Sequence, residues 1–183
     1  MEQKGNPSSN VYYSEFQSGV LGKIWLAATD LGLKYLRFDD DAAEFIAKIA
    51  KSIEHEQQPN ILYSPEKLSP YQTVIQNYCQ DKTPIPLSLT LDVSELTDFQ
   101  QEILQFVREI PFGASTTYGE IAEDIENPNA SRAIGQVLRR NPIPIIIPCH
   151  RVLSADGTLG GYGGVMGSKR KIALLKHEGV ILA

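Results

Sequence analysis

The sequence is poor in cysteine and has no long hydrophobic run. Only two of its 183 residues are cysteines, Cys79 and Cys149, and their different surroundings argue against a disulfide framework. No Cys/His cluster has the spacing of metal ligands, so we expect neither a structural zinc nor a cofactor. A hydrophobic content of 42% without a membrane-length segment, and residues 1–10 without the apolar core of a signal peptide, predict a soluble cytoplasmic protein.

The net charge of −5 is distributed unevenly along the chain. Residues 92–126 carry one basic and nine acidic side chains, a net charge of −8, whereas residues 127–183 carry eight basic and two acidic ones, a net charge of +6. Such a local positive field attracts phosphate groups when its charges lie on one face of the protein. The alternative is an ordinary solvated surface, above all for the run Lys169–Lys171.

The composition changes near residue 92, which suggests two domains. We predict a flexible N-terminus over residues 1–10, an α/β domain over residues 11–91 and a second domain over residues 92–183. Within the first domain, the proline-punctuated stretch Pro59–Pro70 precedes the second predicted helix, and Lys82–Pro86 is expected to be a linker or edge segment.

Three segments rich in aromatic and β-branched residues predict an antiparallel meander in the first domain. They are Val11–Phe16, Val20–Thr29 and Leu33–Phe38. Apolar spacing predicts helices at Ala42–Ile53 and Tyr71–Cys79, and Leu87–Val93 is expected to be the last strand of the domain. Cys79 fits the apolar stripe of its helix, so we interpret it as a core residue.

The second domain has the proportions of a helix-turn-helix protein. Thr97 or Asp98 is expected to cap a helix that runs through Val107, and Thr117 to cap a helix over Tyr118–Ile125. A turn then leads to a helix over Ala130–Arg139. Its outer face combines small residues with hydrogen-bond donors, which would let a nucleic-acid backbone approach closely: Ser131, Arg132, Gly135, Gln136 and Arg139. An ordinary surface helix is the alternative, because this spacing alone is a weak signal.

The segment after this helix carries a candidate nucleophile. Ile143–Ile147 is short, β-branched and bounded by prolines, which favours a brief buried strand or extended segment. Cys149 follows, and the next residues, His150 and Arg151, supply the base and the positive field that a thiol needs to react. Neighbours in an extended segment point to opposite faces, so we expect a water to bridge Cys149 and His150. Glu178 can fix the tautomer of His150, unless it is an exposed carboxylate.

A fixed order of short motifs identifies a family resemblance. Arg132–Gly135 and Asn141–Pro142 precede Pro148–Val152, and the glycine-rich stretch 160–164 and His177–Gly179 follow it. The sequence thereby resembles the 6-O-alkylguanine-DNA alkyltransferases, also called methylated-DNA–protein-cysteine methyltransferases. The resemblance is close over Phe99–Val180 and holds only in outline over residues 11–91. Related non-catalytic alkyltransferase-like proteins carry tryptophan at the position of Cys149.

The resemblance implies a fold and a reaction. The fold is α+β, with an N-terminal antiparallel sheet and helices of ribonuclease-H-like outline, and a mainly α, winged-helix-like C-terminal domain with a helix-turn-helix. The reaction is repair of DNA by direct reversal: an irreversible, single-turnover transfer of an alkyl group, methyl above all, to Cys149 from the 6-oxygen of guanine and also from the 4-oxygen of thymine. The implied partner is double-stranded DNA carrying alkylated guanine, bound by a monomer that has no membrane association.

The resemblance also implies a role for each site residue. Cys149 would accept the alkyl group, His150 would deprotonate it through water, and Glu178 would orient the imidazole. Tyr118 would donate a hydrogen bond to the departing guanine, and Arg132 would take the place of the flipped nucleotide in the duplex. The remaining positions carried over are Asn141 as a hinge, Ser131, Gly135, Gln136, Arg139 and Arg151 as DNA-binding residues, and Val152, Tyr162 and Gly163 as the pocket for the base.

Two departures from the family pattern and two alternative functions remain. Gly167 and Ser168 form an apparent insertion, and Ala173 stands in place of a usual tryptophan, which leaves the packing around Glu178 open. A cysteine hydrolase with Cys149, His150 and Glu178 as its triad is one alternative, weakened by the adjacency of thiol and histidine. A non-catalytic DNA-lesion-binding or regulatory module is the other, and the presence of Cys149 argues against it.

Overall fold

The computed structural model describes residues 10–38, 41–53, 60–162, 165–166 and 168–180. The chain forms two compact units, one comprising Met1–Cys79 with Leu89–Asp92 and the other Gln80–Ser88 with Val93–Ala183. The predicted division between residues 91 and 92 stays a prediction, and residues 1–9, Gly163 and Gly167 lie outside the described ranges. No helix in the described ranges is long and apolar enough to span a membrane.

The first unit contains a four-stranded sheet and two helices. Its elements are β1 (Val11–Gln17), β2 (Lys23–Thr29), β3 (Gly32–Phe38), α1 (Ala42–Ser52), β4 (Ile61–Tyr63) and α2 (Pro65–Asp81). The strand order is β3-β2-β1-β4, with β1, β2 and β3 antiparallel to one another along the meander and β4 parallel to β1. The meander is therefore confirmed, but the expectation of a purely antiparallel sheet is corrected, because β4 makes it mixed.

Two further sequence expectations in this unit were wrong. The second helix was predicted to begin at Tyr71, but α2 begins at Pro65, where the first turn of a helix needs no donor from proline. Leu87–Val93 is not a strand: only Leu91 forms an isolated bridge, to Leu33. This segment is tied to β3 by two backbone hydrogen bonds, from Leu33 to Thr90 and from Asp92 to Leu33.

The alternation of side chains along β2 gives the sheet two buried faces. Trp25 and Ala27 point to the face covered by α1, where the Trp25 and Phe45 rings lie 5.3 Å apart between centroids. Ile24 and Leu26 point to the opposite face and are also fully buried. The unit thus has an independent hydrophobic core.

The second unit is mainly helical. Its elements are α3 (Asp98–Glu109), β5 (Thr116–Thr117), α4 (Tyr118–Asp124), α5 (Ser131–Arg139), a 3-10 turn (Cys149–Arg151), β6 (Val152–Leu153), β7 (Gly161–Tyr162), β8 (Val165–Met166) and α6 (Lys169–His177). The predicted starts of α3 and α4 are confirmed. At each, a threonine accepts a hydrogen bond from the backbone of a Gln or Glu three residues on, whose side chain accepts one in return: Thr97 with Gln100, and Thr117 with Glu120.

The apolar segment before Cys149 lies in the interior of this unit but is not a strand. Ile143, Ile145, Ile146 and Ile147 are all buried, and the chain turns so that the Ile147 amide donates to the Ile143 carbonyl. Prolines in the segment remove the donors that a strand ladder requires, and Ile145 has a φ of 75°. Cys149 and His150 then fall in a 3-10 turn, so the expected extended geometry was wrong.

Candidate active site

A cavity of about 580 Å³ opens in the second unit beside Cys149. Helices α4 and α5, the 3-10 turn and β7 supply its walls: Tyr118, Arg132, Ala133, Gly135, Gln136, Leu138, Arg139, Cys149, Gly161 and Tyr162. The volume is within the range of small-ligand sites, and the lining joins aromatic and apolar surface to cationic side chains. A flat, aromatic ligand attached to an anionic backbone fits this combination.

Asn141 holds the thiol of Cys149 in place. Its Nδ2 donates to the Cys149 Sγ at 3.2 Å and to the Ile147 carbonyl at 2.8 Å, and its Oδ1 accepts from the Ile143 amide at 3.0 Å. Asn141 lies two residues after the end of α5, so one amide connects this helix to the thiol. Burial raises the pKa of Cys149, whereas the Asn141 hydrogen bond and the charge of Lys171 lower it.

His150 and Glu178 form a buried pair next to the thiol. The His150 Nε2 lies 2.8 Å from the Glu178 Oε1, and both side chains have no exposed surface. A carboxylate accepts from Nε2–H, which leaves Nδ1 as the basic nitrogen. That Nδ1 is buried and has no hydrogen-bond partner among the described residues. Burial lowers the pKa of His150, so the imidazole is neutral near pH 7 and able to receive a proton.

Arg151 belongs to this buried network, which corrects its predicted role in DNA binding. Its guanidinium donates to both oxygens of Glu178, at 2.8 and 2.9 Å, and to the carbonyl of Ile110 at 2.5 Å. The Gly113 amide also donates to Glu178, at 3.2 Å. Because Arg151 is only 6% exposed and all these contacts are internal, it fixes Glu178 rather than presenting a charge to a partner.

Two tyrosines lie on the cavity walls. Tyr118, at the first position of α4, is half-buried and approached closely by glycines: a Cβ at Gly160 would lie 3.6 Å from its ring, and one at Gly135 3.9 Å. Tyr162 is buried, and its ring packs edge-on against His150 with 6.4 Å between the centroids. Burial, and to a lesser extent the charge of Cys149, raises the pKa of both phenols, so both remain hydrogen-bond donors at neutral pH.

Most of the other predicted residues lie on α5, and Val152 lies in β6. Arg132, Gln136 and Arg139 are exposed on α5 and line the cavity, with Gly135 half-buried between them. Ser131 lies at the start of the same helix, where its hydroxyl donates to the Tyr118 carbonyl at 3.5 Å. Val152 is fully buried and outside the cavity lining, so its predicted place in the base pocket is not supported by this geometry. Gly163, predicted for the same pocket, lies outside the described residues.

Arg151 and Lys171 have internal roles that were not predicted from the sequence. Both were counted with a basic surface, yet Lys171 has no exposed surface and its Nζ donates to the Val152 carbonyl at 2.6 Å. The only signal for Lys171 was its position three residues before Leu174, on the buried stripe of α6. Within the described ranges no group of three or more His, Cys, Asp or Glu side chains could hold a metal ion.

Known proteins resemble this chain in sequence. Residues 98–180 match the family described as 6-O-methylguanine DNA methyltransferase, DNA binding domain. A Methanosarcina acetivorans protein named methylated-DNA–protein-cysteine methyltransferase is 35% identical over 181 residues, which cover 92% of this chain and 99% of the relative. This chain belongs to the methylated-DNA–protein-cysteine methyltransferase family.

Solved methyltransferase structures share the fold. The crystal structure of Mycobacterium tuberculosis O6-methylguanine methyltransferase superposes with a TM-score of 0.73 at 36% identity, covering 92% of each chain. A second M. tuberculosis structure, of OGT in complex with DNA, gives the same TM-score at 33% identity and covers 91% of this chain and 92% of that one. The predicted α+β class and the family resemblance are thus both confirmed for this methyltransferase.

Proposed function

We propose that the chain repairs double-stranded DNA by transferring an alkyl group, methyl above all, from the 6-oxygen of guanine to the Sγ of Cys149. One observation supports this most strongly: a buried thiol on the wall of a cavity large enough to admit a base, held by Asn141 and adjacent to the His150–Glu178 pair. A thiolate is the nucleophile that alkyl transfer needs, and a neutral imidazole with a free Nδ1 is a suitable base.

The proposed reaction is an in-line displacement. His150 takes the thiol proton through one water, the S–C bond forms as the C–O bond breaks, and the electron pair of that bond stays on the guanine oxygen. The proton returns to the base, so the net products are an S-alkylcysteine and neutral guanine. Tyr118 donates a hydrogen bond to the departing base and stabilises the negative charge that develops on it.

The raised pKa of the Cys149 thiol explains why a proton relay through His150 and Glu178 is needed. Burial keeps Cys149 protonated in the free protein, so the thiol is protected from adventitious reaction until a base occupies the cavity. Glu178 holds the imidazole in the tautomer whose Nδ1 is basic, and Arg151 holds Glu178. Because a thioether is not hydrolysed, each molecule acts once.

A base that stays stacked in the DNA duplex cannot enter the cavity. The substrate nucleotide must therefore be flipped out of the duplex. The exposed cationic face of α5 leads into the cavity, and we assign Arg132 to fill the gap left in the base stack. Arg139 and Gln136 contact the backbone, and half-buried Gly135 allows its close approach. We further propose that the 4-oxygen of alkylated thymine is a second substrate, and that the protein acts as a monomer in the cytoplasm.

A stoichiometric repair assay tests this function. Increasing amounts of duplex DNA with one O6-methylguanine are incubated with a fixed amount of protein, and restored guanine is measured. We expect a plateau at one guanine per protein molecule and no further turnover. Repeated turnover without a protein adduct would favour a cysteine hydrolase, and binding without restored guanine would favour a lesion-binding module. A duplex with O4-methylthymine tests the second substrate separately.

A further inference from the structure

Tyr162 carries a buried hydroxyl group that the proposed reaction does not use. Its side chain lines the same cavity as Cys149, and the residue is only 6% exposed. The hydroxyl oxygen itself is buried and has no hydrogen-bond partner among the described residues. Because burying a hydroxyl without a partner is costly, buried hydroxyls are almost always hydrogen-bonded. One that is not, beside a nucleophile, indicates a functional role.

The ring of Tyr162 contacts the imidazole that serves as the base. The two rings meet edge-on, with an interplanar angle of 79° and 6.4 Å between the centroids of Tyr162 and His150. The Nδ1 of His150 is also buried and without a partner in the described part of the chain. Its Nε2 is occupied by Glu178 at 2.8 Å, so Nδ1 is the nitrogen that remains for the relay. Two rings in contact thus each carry a buried polar atom that needs a partner.

The water that carries the proton from Cys149 to His150 needs a further ligand. A buried water typically makes about three hydrogen bonds. The relay itself supplies two, to the Sγ of Cys149 and the Nδ1 of His150, and a thiol is a weak donor and acceptor. These two contacts alone would orient the water poorly. Cys149 and Tyr162 line one cavity, so a water beside the thiol has room near the phenol as well.

Neighbouring polar groups are already engaged in other hydrogen bonds. Both amide hydrogens of Asn141 are used, by the Sγ of Cys149 at 3.2 Å and the Ile147 carbonyl at 2.8 Å. Both oxygens of Glu178 accept from nitrogen donors. Burial raises the pKa of Tyr162 well above its usual value, so the phenol keeps its proton at neutral pH and can donate it in a hydrogen bond. The Tyr162 hydroxyl is therefore the donor that remains for the water.

We propose that Tyr162 is a positioning residue of the proton relay, whose hydroxyl holds the water that joins Cys149 to His150. The inference rests on the proposed function, since it takes alkyl transfer to Cys149 as the reaction. In the relay, the water accepts the thiol proton as it gives one of its own to Nδ1. Tyr162 keeps its proton throughout and donates a hydrogen bond to the water oxygen. It thereby acts on the nucleophile, whereas Tyr118, on the wall formed by α4, acts on the departing base.

Single-turnover methyl transfer by Tyr162→Phe tests this role, because phenylalanine keeps the ring and removes only the hydroxyl. We expect the rate to fall roughly three- to tenfold, the effect of one lost hydrogen bond, with the affinity for lesion-containing duplex unchanged. The loss should disappear when Tyr162→Phe is added to His150→Ala, since a protein without the base has no relay to position. In the matched control, the loss caused by Tyr118→Phe should persist in the His150→Ala protein. A wild-type rate in Tyr162→Phe, or a loss that persists in the His150→Ala protein, would overturn the proposal.

A second measurement needs no variant and so does not depend on how Tyr162→Phe folds. A high-resolution crystal structure of the wild-type protein without DNA should show one ordered water within hydrogen-bond distance of the Tyr162 hydroxyl, the His150 Nδ1 and the Cys149 Sγ. A water bonded to Nδ1 but not to the hydroxyl, or no water at this position, would contradict the proposal. Because this measurement uses no DNA, a protein that holds the water but fails to restore guanine would count against the proposed function alone.

Discussion

Arg151 holds Glu178 at two points, with its Nε 2.8 Å from Oε2 and its Nη2 2.9 Å from Oε1, in the interior of the C-terminal unit. The same carboxylate is 2.8 Å from the Nε2 of His150. Because the guanidinium balances the charge of Glu178, the carboxylate orients the imidazole more than it raises its basicity. Arg151 therefore acts on the thiol through two other side chains.

Replacing Arg151 should damage the fold more than the DNA-binding surface. Arg151→Leu leaves Glu178 buried without its ion-pair partner, a change that typically costs about 3 to 5 kcal/mol of unfolding free energy. The matched control is Arg139→Gln on exposed α5, which should change stability by less than about 0.5 kcal/mol but weaken DNA binding and its salt dependence. Urea unfolding and fluorescence titration with duplex DNA check both. A stable Arg151→Leu protein that has lost only its DNA affinity would support the DNA-binding role predicted for Arg151 from the sequence.

The relay predicts a loss of rate without a loss of affinity. Glu178→Gln and His150→Ala should each slow single-turnover alkyl transfer by roughly 100- to 10,000-fold, the usual contribution of general acid-base catalysis. Binding of lesion-containing duplex should change little in whichever variants remain folded, because neither side chain lines the cavity. Rapid-quench measurement of guanine restoration separates the two effects, and wild-type rates in both variants would exclude the relay.

Two glycines in one loop provide a matched test of the Tyr118 contact. Gly160 and Gly157 have φ values of +59° and +77°, so alanine meets similar backbone strain at either site. At Gly160 the added Cβ would lie 3.1 Å from the Ser154 Oγ and 3.6 Å from the Tyr118 ring, whereas at Gly157 nothing lies within 4 Å. We expect Gly160→Ala to slow alkyl transfer several-fold more than Gly157→Ala at equal stability loss. Equal rates would show that the position of Tyr118 is not critical.

Acid should destabilise the protein through His150. Burial lowers the pKa of His150 in the folded state, so the unfolded chain binds a proton more readily as the pH falls below about 6.5. The stability contributed by the neutral imidazole is thus present above that pH and is lost below it. Urea unfolding at about pH 5 and pH 7 should show a smaller pH effect in His150→Gln than in the wild type. The same pH effect in both proteins would assign the acid sensitivity to other groups.

Local chemistry made some elements of the fold predictable from sequence. Thr97 and Thr117 each precede a Gln or Glu at the spacing of a capping box, and both helix starts were found. Alternating apolar residues similarly located β1, β2 and β3. The start of α2 was missed because Pro65 and Pro70 were interpreted as breaks, although proline is compatible with the first turn of a helix.

Other features depend on tertiary contacts and could not be predicted from the sequence. Cys149, His150 and Glu178 were found from residue type and motif, and in the structure the His150 ring meets the Glu178 carboxylate. Arg151 and Lys171 were assigned to a basic surface because a charge pattern does not reveal which long side chains turn inward to meet a carboxylate or a carbonyl. The turn at Ile143–Ile147 was likewise hidden, since an apolar run has no periodicity that separates a buried strand from a buried turn.

Mass spectrometry of the protein after reaction tests the central claim most directly. Wild-type protein, Cys149→Ala and Cys79→Ala are each incubated with duplex DNA containing one O6-methylguanine, and intact mass and peptide maps are recorded. Cys79 is the matched control, because it is a buried thiol whose pKa is raised to about 11. The account predicts one added methyl group on Cys149 in the wild type and in Cys79→Ala, and none in Cys149→Ala. Methyl transfer to Cys149→Ala, or a methyl group mapped to any other residue of the wild type, would contradict it.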